Sequence, residues 1–334
     1  MIIAVCIIVL LICVGCSVSQ PEQSVQTCSV LPSPRACATC FVYGDKAYVF
    51  GGRDASDNCL SDLWCYDPVT DSWTDLGSTP LTPRLNATAC VTNDAVYIGL
   101  GYVGGRSNRG YYQDTAYLCD WYRLQPETMT FTPLAPYPNN ATDRAISWAY
   151  TDKQLYVGYG FRYNYSRDIF RYDIPSDRWD SIDTHVSYMG YPSRSFGGTG
   201  AVCQGRMFGG TGYRRYSLNW WAELIPEQGS DARWDKRRAV PSPERTLAAC
   251  VATDNYIYLA GGLHYGGVNT TGQYLSDVLR YDPTADRWQR VASLPEPLFN
   301  HVAFRIGNAV YFGLGETWQN DALRITPNLY CLHE

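Results

Sequence analysis

Histidine is scarce in this chain. Only 4 occur in 334 residues (His185, His264, His301 and His333), spread singly along the sequence, which leaves little for a metalloenzyme. A basic surplus is missing too: 27 Lys and Arg stand against 32 Asp and Glu, a formal charge of −5, and nucleic acid as main partner is excluded on that balance. Charged residues are few at 18% and hydrophobic ones reach 46%, so global disorder is ruled out. No serine-nucleophile elbow, phosphate-binding glycine loop or His-Glu-x-x-His occurs. Cys37 and Cys40 stand alone, without the second pair a zinc site needs, and Gly104-Gly105 and Gly266-Gly267 read as loop glycines.

What is present points to β-structure and export. Aromatics reach 14%, with Tyr 27 and Trp 10, beside 29 Gly, a composition for many short strands joined by tight turns. Met1 to Val18 is apolar or small throughout, and the first charge is Glu22. Its densest part, Ile2 to Val14, is short for a spanning helix and fits the apolar region of a signal peptide, although no Lys or Arg precedes it. Three outcomes stay open: a lipoprotein acylated at Cys16 of Cys13-Val14-Gly15-Cys16, which looks like a bacterial lipobox with Cys13 in place of Leu; cleavage near Ser17-Val18-Ser19; or an uncleaved anchor. Each puts the rest outside the cytoplasm, as a cell-envelope lipoprotein (on the outer membrane in a Gram-negative bacterium) or a periplasmic or secreted protein. Residues 1–19 are thus expected to be the signal, and residues 20–334 a single domain.

Ten of the 13 cysteines follow Cys16. Cys40, Cys90 and Cys250 read as one equivalent inner-strand position, hence as buried thiols that cannot pair with one another.

A unit of about 50 residues repeats after residue 24. It comprises an opening Pro/Arg, a strand, a polar turn, a strand ending in Gly-Gly, a variable loop, a strand ending in Tyr-Asp, a turn and a Trp. The first unit has Pro34-Arg35, Cys40 to Tyr43, Ala47 to Gly52, Asp62 to Pro68 and Trp73; the fifth has Arg245, Cys250 to Thr253, Tyr256 to Gly262, Asp277 to Pro283 and Trp288. The third carries Arg144, Tyr156 to Gly160, Asp168 to Asp173 and Trp179. The second, with Arg84, and the fourth, with Arg194, are looser, and the sixth ends at Asp321 to Ile325. These motifs resemble kelch repeats over about nine-tenths of the chain. The resemblance implies an all-β fold, a six-bladed kelch β-propeller of four-stranded antiparallel blades. Repeats are expected at 32–78, 79–134, 135–182, 183–238, 239–294 and 295–334. The sixth lacks an outer strand, and residues 24–31 are placed to supply it and close the ring. Cys28 and Cys331 would then lie near one another, where a disulfide clip is plausible.

In a meander of strands a to d, numbered outward from the axis, the b–c and d–a connections share one face. The a–b and c–d turns are short, and length collects in the b–c loops: Tyr102 to Cys119 with Arg106, Arg109, Tyr111 and Tyr112; Phe161 to Arg167 with Arg162, Tyr163 and Tyr165; Tyr213 to Tyr216 with Arg214 and Arg215, followed by Trp220-Trp221; His264 and Tyr265; Glu316 and Trp318. The opening arginines Arg35, Arg84, Arg144, Arg194 and Arg245 are expected to border the same mouth. Arginine forks suit carboxylates, and Tyr and Trp faces suit sugar rings. An opening arginine can equally be a repeated structural element paired with a carboxylate.

Three functions compete. The first is a binding module for a glycan or protein at the b–c face. The second is a sugar isomerase, since the chain is similar to exported bacterial kelch propellers of the sialic acid mutarotase (N-acetylneuraminate epimerase) type. That chemistry needs acid–base groups, for which Glu316, Glu223, His264 and His301 are candidates. The third, a copper-radical oxidase, fails on its histidine requirement. No cofactor or metal is called for. The expected partner is a sugar, acidic in one version, or a protein; the chain is expected to be monomeric and to meet a membrane only through its N-terminus. Four sequons, at Asn86, Asn140, Asn164 and Asn269, do not decide the host.

Overall fold

The computed structural model describes residues 22–104, 117–138, 142–184, 192, 194–267 and 272–334. The N-terminal segment with Cys16, the loop residues Arg106, Arg109, Tyr111 and Tyr112, His185, Asn140 and Asn269 lie outside the described residues.

Six antiparallel four-stranded sheets form the molecule, each a meander in chain order except the last. Strand a of each blade (Thr39–Tyr43, Thr88–Val91, Ile146–Thr151, Thr199–Cys203, Ala249–Ala252 and Val302–Ile306) packs against strand a of both neighbours, which closes a ring about a central axis. The all-β six-bladed propeller is therefore as expected. Blade 6 consists of Val302–Ile306, Ala309–Gly313, Leu329–His333 and, outermost, Val25–Cys28 from the other end of the chain.

The repeated Tyr and Trp share a task with an aspartate in the turn between them, four residues beyond the Tyr-Asp pair. Trp73 donates Nε1–H to the carbonyl of Ser29 at 2.9 Å, while Asp71 accepts the Ser29 N–H at 2.9 Å and the Tyr66 hydroxyl at 2.8 Å. Ser29 follows the outer strand of the preceding blade, so one residue is held by both of its backbone polar groups. Blade 3 repeats this with Tyr172, Asp177 and Trp179 on Ala135, and blade 5 with Tyr281, Asp286 and Trp288 on Arg238. The aspartates sit at φ of 45°, 50° and 47°, a left-handed turn conformation that Asp tolerates.

Three sequence expectations need correction. Ala322–Ile325 is not the third strand of blade 6; it pairs with Glu316–Gln319 in a hairpin on the mouth face, and the third strand is Leu329–His333. Cys90 is not equivalent to Cys40 and Cys250. It pairs with Tyr97, a position that corresponds to Phe41 opposite Tyr48, and therefore faces the other side of its sheet. The opening arginines are also not one set. Arg35, Arg84 and Arg245 share a position that blades 3 and 4 fill with Thr142 and Ser195; Arg144 lies two residues beyond it, and Arg194 one before.

Candidate functional site

The three aligned arginines are fully buried. Arg35 forks onto Asp62 at 2.8 Å through both terminal nitrogens; Arg84 binds Asp120 at 2.6 and 2.7 Å, and Arg245 binds Asp277 at 2.9 Å. Each also donates to a carbonyl at the end of strand b (Gly51, Leu100 or Gly261). Arg84 and Arg245, expected at the ligand mouth, thus staple strand b to strand c and do not line the cavity.

The cavity begins where strand b ends. After its last glycine each blade places one residue over the opening segment of strand a, through the bridges Arg53–Ala36, Tyr102–Leu85, Phe161–Asp143, Tyr213–Phe196, Leu263–Thr246 and Glu316–Phe299. The crossing is tight: a Cβ on Gly101 (φ 97°) would stand 2.5 Å from the Leu85 carbonyl, so only glycine fits. Directly below, a second ring turns in left-handed conformation at Cys37, Asn86, Arg144, Gly197, Leu247 and Asn300, with φ from 50° to 64°. The two rings enclose a cavity of about 550 Å³ at the axis.

One arc of this cavity is polar. Arg53 binds the Glu316 carboxylate and lies 3.3 Å from Asp57. The other Glu316 oxygen accepts from Asn300 Nδ2 at 2.5 Å; Asn300 Oδ1 accepts from Arg144 at 3.1 Å; Arg144 meets Asp143 at 3.3 Å; and Asp143 accepts from Asn86 Nδ2 at 2.7 Å. Burial pushes the Asp143 carboxyl above its usual range, against the opposing pull of Arg144 and Asn86. The facing arc is apolar, built from Phe161, Tyr165, Phe196 and Tyr213, with Leu247, Leu263 and Phe299 completing it. Phe196 stacks on Tyr165 at 5.8 Å and carries the Arg144 guanidinium 5.6 Å from its centroid.

Of the residues named from sequence, the structure brings Glu316 and Arg144 into this cavity. Arg162, Tyr163 and Arg194 line a side recess of about 290 Å³ on blade 3, adjoining the cavity at Tyr165. Arg214 and Arg215 are exposed at the tip of the Tyr213–Arg214 and Tyr216–Ser217 hairpin, Tyr265 leans on Tyr213 at 5.8 Å, and Trp318 stands on the rim of blade 6. Glu223 is elsewhere, on strand c of blade 4. There Arg206 and Arg237 hold its carboxyl below the usual range in spite of burial, so it serves as a structural anion and not as an acid–base group. His264 sets Nδ1 against the Glu244 carbonyl at 2.8 Å in a separate surface recess. His301 is buried, and burial pushes its pKa down to about 3, which leaves it neutral and without a general-acid role near neutral pH. Cys28 and Cys331 are free thiols with their side chains in contact. Asn86, a sequon residue, is held inside the cavity by Asp143, whereas Asn164 is exposed. The described residues hold no cluster of three metal-ligating side chains.

Sequence reasoning placed Phe161, Tyr165 and Tyr213 in the b–c loops of this face, but it missed Arg53, Asn86, Asp143, Asn300 and, in the apolar arc, Phe196 and Phe299. The signal available was positional: the residue directly after the glycine that ends each strand b.

Comparison with known proteins fixes the family. The pattern of the KLHDC2/KLHL20/DRC7 Kelch-repeats domain matches residues 13–210, and a Kelch motif matches 244–295. The chain belongs to the kelch-repeat family. Kelch-like protein 35 of mouse is 24% identical over 240 residues, 70% of this chain and 35% of that protein. Kelch-like protein 25 of Xenopus tropicalis is 23% identical over 80% of this chain and 42% of its own length. This kelch chain therefore spans well under half of those two relatives. The N-acetylneuraminate epimerase of Yersinia enterocolitica is 25% identical over 312 residues, 85% of this chain and 72% of the epimerase. A solved structure, that of YjhT, superposes with a TM-score of 0.71 at 15% identity, covering 90% of this chain and 96% of that one, a likeness of fold.

Proposed function

We propose that this kelch propeller binds a sugar, an acidic one by preference, in the axial cavity of its b–c face. One observation carries the reading: the cavity sets an arc of alternating donors and acceptors opposite an arc of aromatic faces. A sugar ring has that same division, hydroxyls at its edge and C–H groups on its faces, and a ligand carboxylate would share the Arg53 and Arg144 guanidiniums with the wall carboxylates Glu316 and Asp143. With Ile2 to Val14 as export signal, the sugar would be met outside the cytoplasm. The test is a thermal-shift screen of residues 20–334 against neutral sugars, uronic acids and sialic acids. Ligand at about 100 times its Kd adds roughly 2.7 kcal/mol, a shift of several degrees. A silent screen would overturn the sugar reading in favour of a protein ligand.

A second reading, a sialic acid mutarotase, draws support from the resemblance to the Yersinia epimerase along most of both chains and from the buried Glu316–Arg53 pair in the cavity. Anomer exchange followed by NMR tests it. Under this reading Glu316→Gln abolishes catalysed exchange while sugar binding persists; exchange at the uncatalysed rate with the unaltered protein would end it.

A further inference from the structure

Among the described residues, exposed aromatic rings are confined to one face. Among the described residues the exposed aromatics are Tyr163 (45%), Tyr216 (54%) and Trp318 (38%), and each stands on a b–c hairpin, in blades 3, 4 and 6. The other exposed large hydrophobics, Val30, Val69 and Leu76, are aliphatic and lie at the outer strands or the opposite turns. Trp318 is the best built of the three. It stacks on Tyr274 at 5.1 Å with 4° between the planes, and Tyr274 rests on Phe299 at 5.4 Å. Phe299 lines the cavity. An unbroken series of rings thus climbs from the cavity wall, across the boundary of blades 5 and 6, to the solvent edge. The hairpin under it is fixed from below. The buried carboxylate of Glu296 accepts from Gln319, Thr326, Asn328 and Tyr330 at 2.8 to 2.9 Å, so Trp318 is presented on a braced support.

We propose that the ligand is longer than the cavity: an oligosaccharide whose terminal residue enters the axial site and whose next residue stacks on Trp318. This rests on the sugar reading and extends it. A monosaccharide would be enclosed by the cavity and would leave a buttressed tryptophan at the rim without use. A protein partner would call for a contiguous apolar patch, whereas the exposed rings of the described residues are separate and spread over three blades, a spacing suited to a chain of flat-faced units.

The experiment is calorimetric binding of two matched pairs, N-acetylneuraminic acid with its lactose-linked trisaccharide, and galacturonic acid with trigalacturonic acid. The readout is the affinity ratio of long to short ligand within a pair. A ratio of about 10 is expected for at least one pair, falling to about 1 in Trp318→Ala, recovering in part in Trp318→Phe, and unmoved in Val69→Ser on the opposite face. A ratio near 1 in the unaltered protein, or one that survives Trp318→Ala, overturns the proposal and leaves the sugar-binding cavity standing. Failure of all four sugars to bind overturns both.

Discussion

Arg144 donates from Nη2 to Asn300 Oδ1 at 3.1 Å, and this bond crosses the propeller axis from blade 3 to blade 6. The two residues also line a polar channel of about 260 Å³ that continues beneath the mouth cavity, so the side chain of Arg144 forms the floor between the two spaces. Removing it should merge them. Arg144→Ala is expected to weaken an acidic sugar 10-fold to 100-fold by calorimetry, with Arg144→Lys recovering little because an ammonium cannot bridge two groups as a planar fork does. Unchanged affinity would reduce the bar to an architectural element.

The buried arginines should separate stability from binding. Arg245→Ala leaves Asp277 and the Gly261 carbonyl without their donor and is expected to cost about 3 kcal/mol in denaturant unfolding. Sugar affinity, measured well below the unfolding transition, should stay within about twofold.

His301 sets an acid limit. Its folded pKa lies near 3, below the unfolded value near 6.5, because burial disfavours the charged ring. Between those values the unfolded chain binds the extra proton, so stability falls as pH drops, by roughly 1.4 kcal/mol per pH unit. Blades 1, 2, 3 and 5 have alanine at the equivalent place (Ala38, Ala87, Ala145 and Ala248), so His301→Ala is tolerable and should flatten that slope between pH 6 and 4. Comparing parent and variant cancels Asp143, whose raised carboxyl acts in the opposite sense, favouring the folded state at low pH. Parallel curves would show that the ring is solvated.

The thiol pair in blade 6 should respond to oxidant. The hydrogen bond with Cys28 draws the Cys331 thiol below its usual range, against its burial, which favours it as the attacking thiolate of the pair. Mild oxidation is expected to link Cys28 to Cys331, seen as one joined peptide by mass spectrometry. Closing a loop of that length should stabilise the fold by on the order of 3–5 kcal/mol. Cys28→Ser should abolish both effects. Two unjoined peptides under oxidation would refute the clip.

The propeller was legible because its architecture repeats. Gly-Gly recurs since the blades share the same crossing, and the Tyr and Trp recur where blades 1, 3 and 5 clasp the neighbouring blade, through an aspartate four residues beyond the Tyr-Asp pair. The same logic misled the reading of the site. Arg84 and Arg245 recur because they are structural, and their recurrence drew Arg144 and Arg194 into a register that neither occupies. The cavity is made of the positions that differ from blade to blade. Arg53, Phe161 and Glu316 have no common identity, and only the spatial ring shows that they correspond. Glu316 was named from sequence as a lone acid; Asn300 meets it within blade 6, but Arg53 comes from blade 1 and meets it only once the ring is closed.

That closure has a consequence for how the protein is made. Val25–Cys28 leaves the ribosome about 300 residues before Leu329–His333, its partner in the last blade. At roughly 5–20 residues per second, the early strand waits about 15–60 s with a free edge. Whatever accompanies the nascent chain during that interval must shield the strand without capturing it. The yield of folded protein should therefore respond to the speed of translation and to chaperone supply.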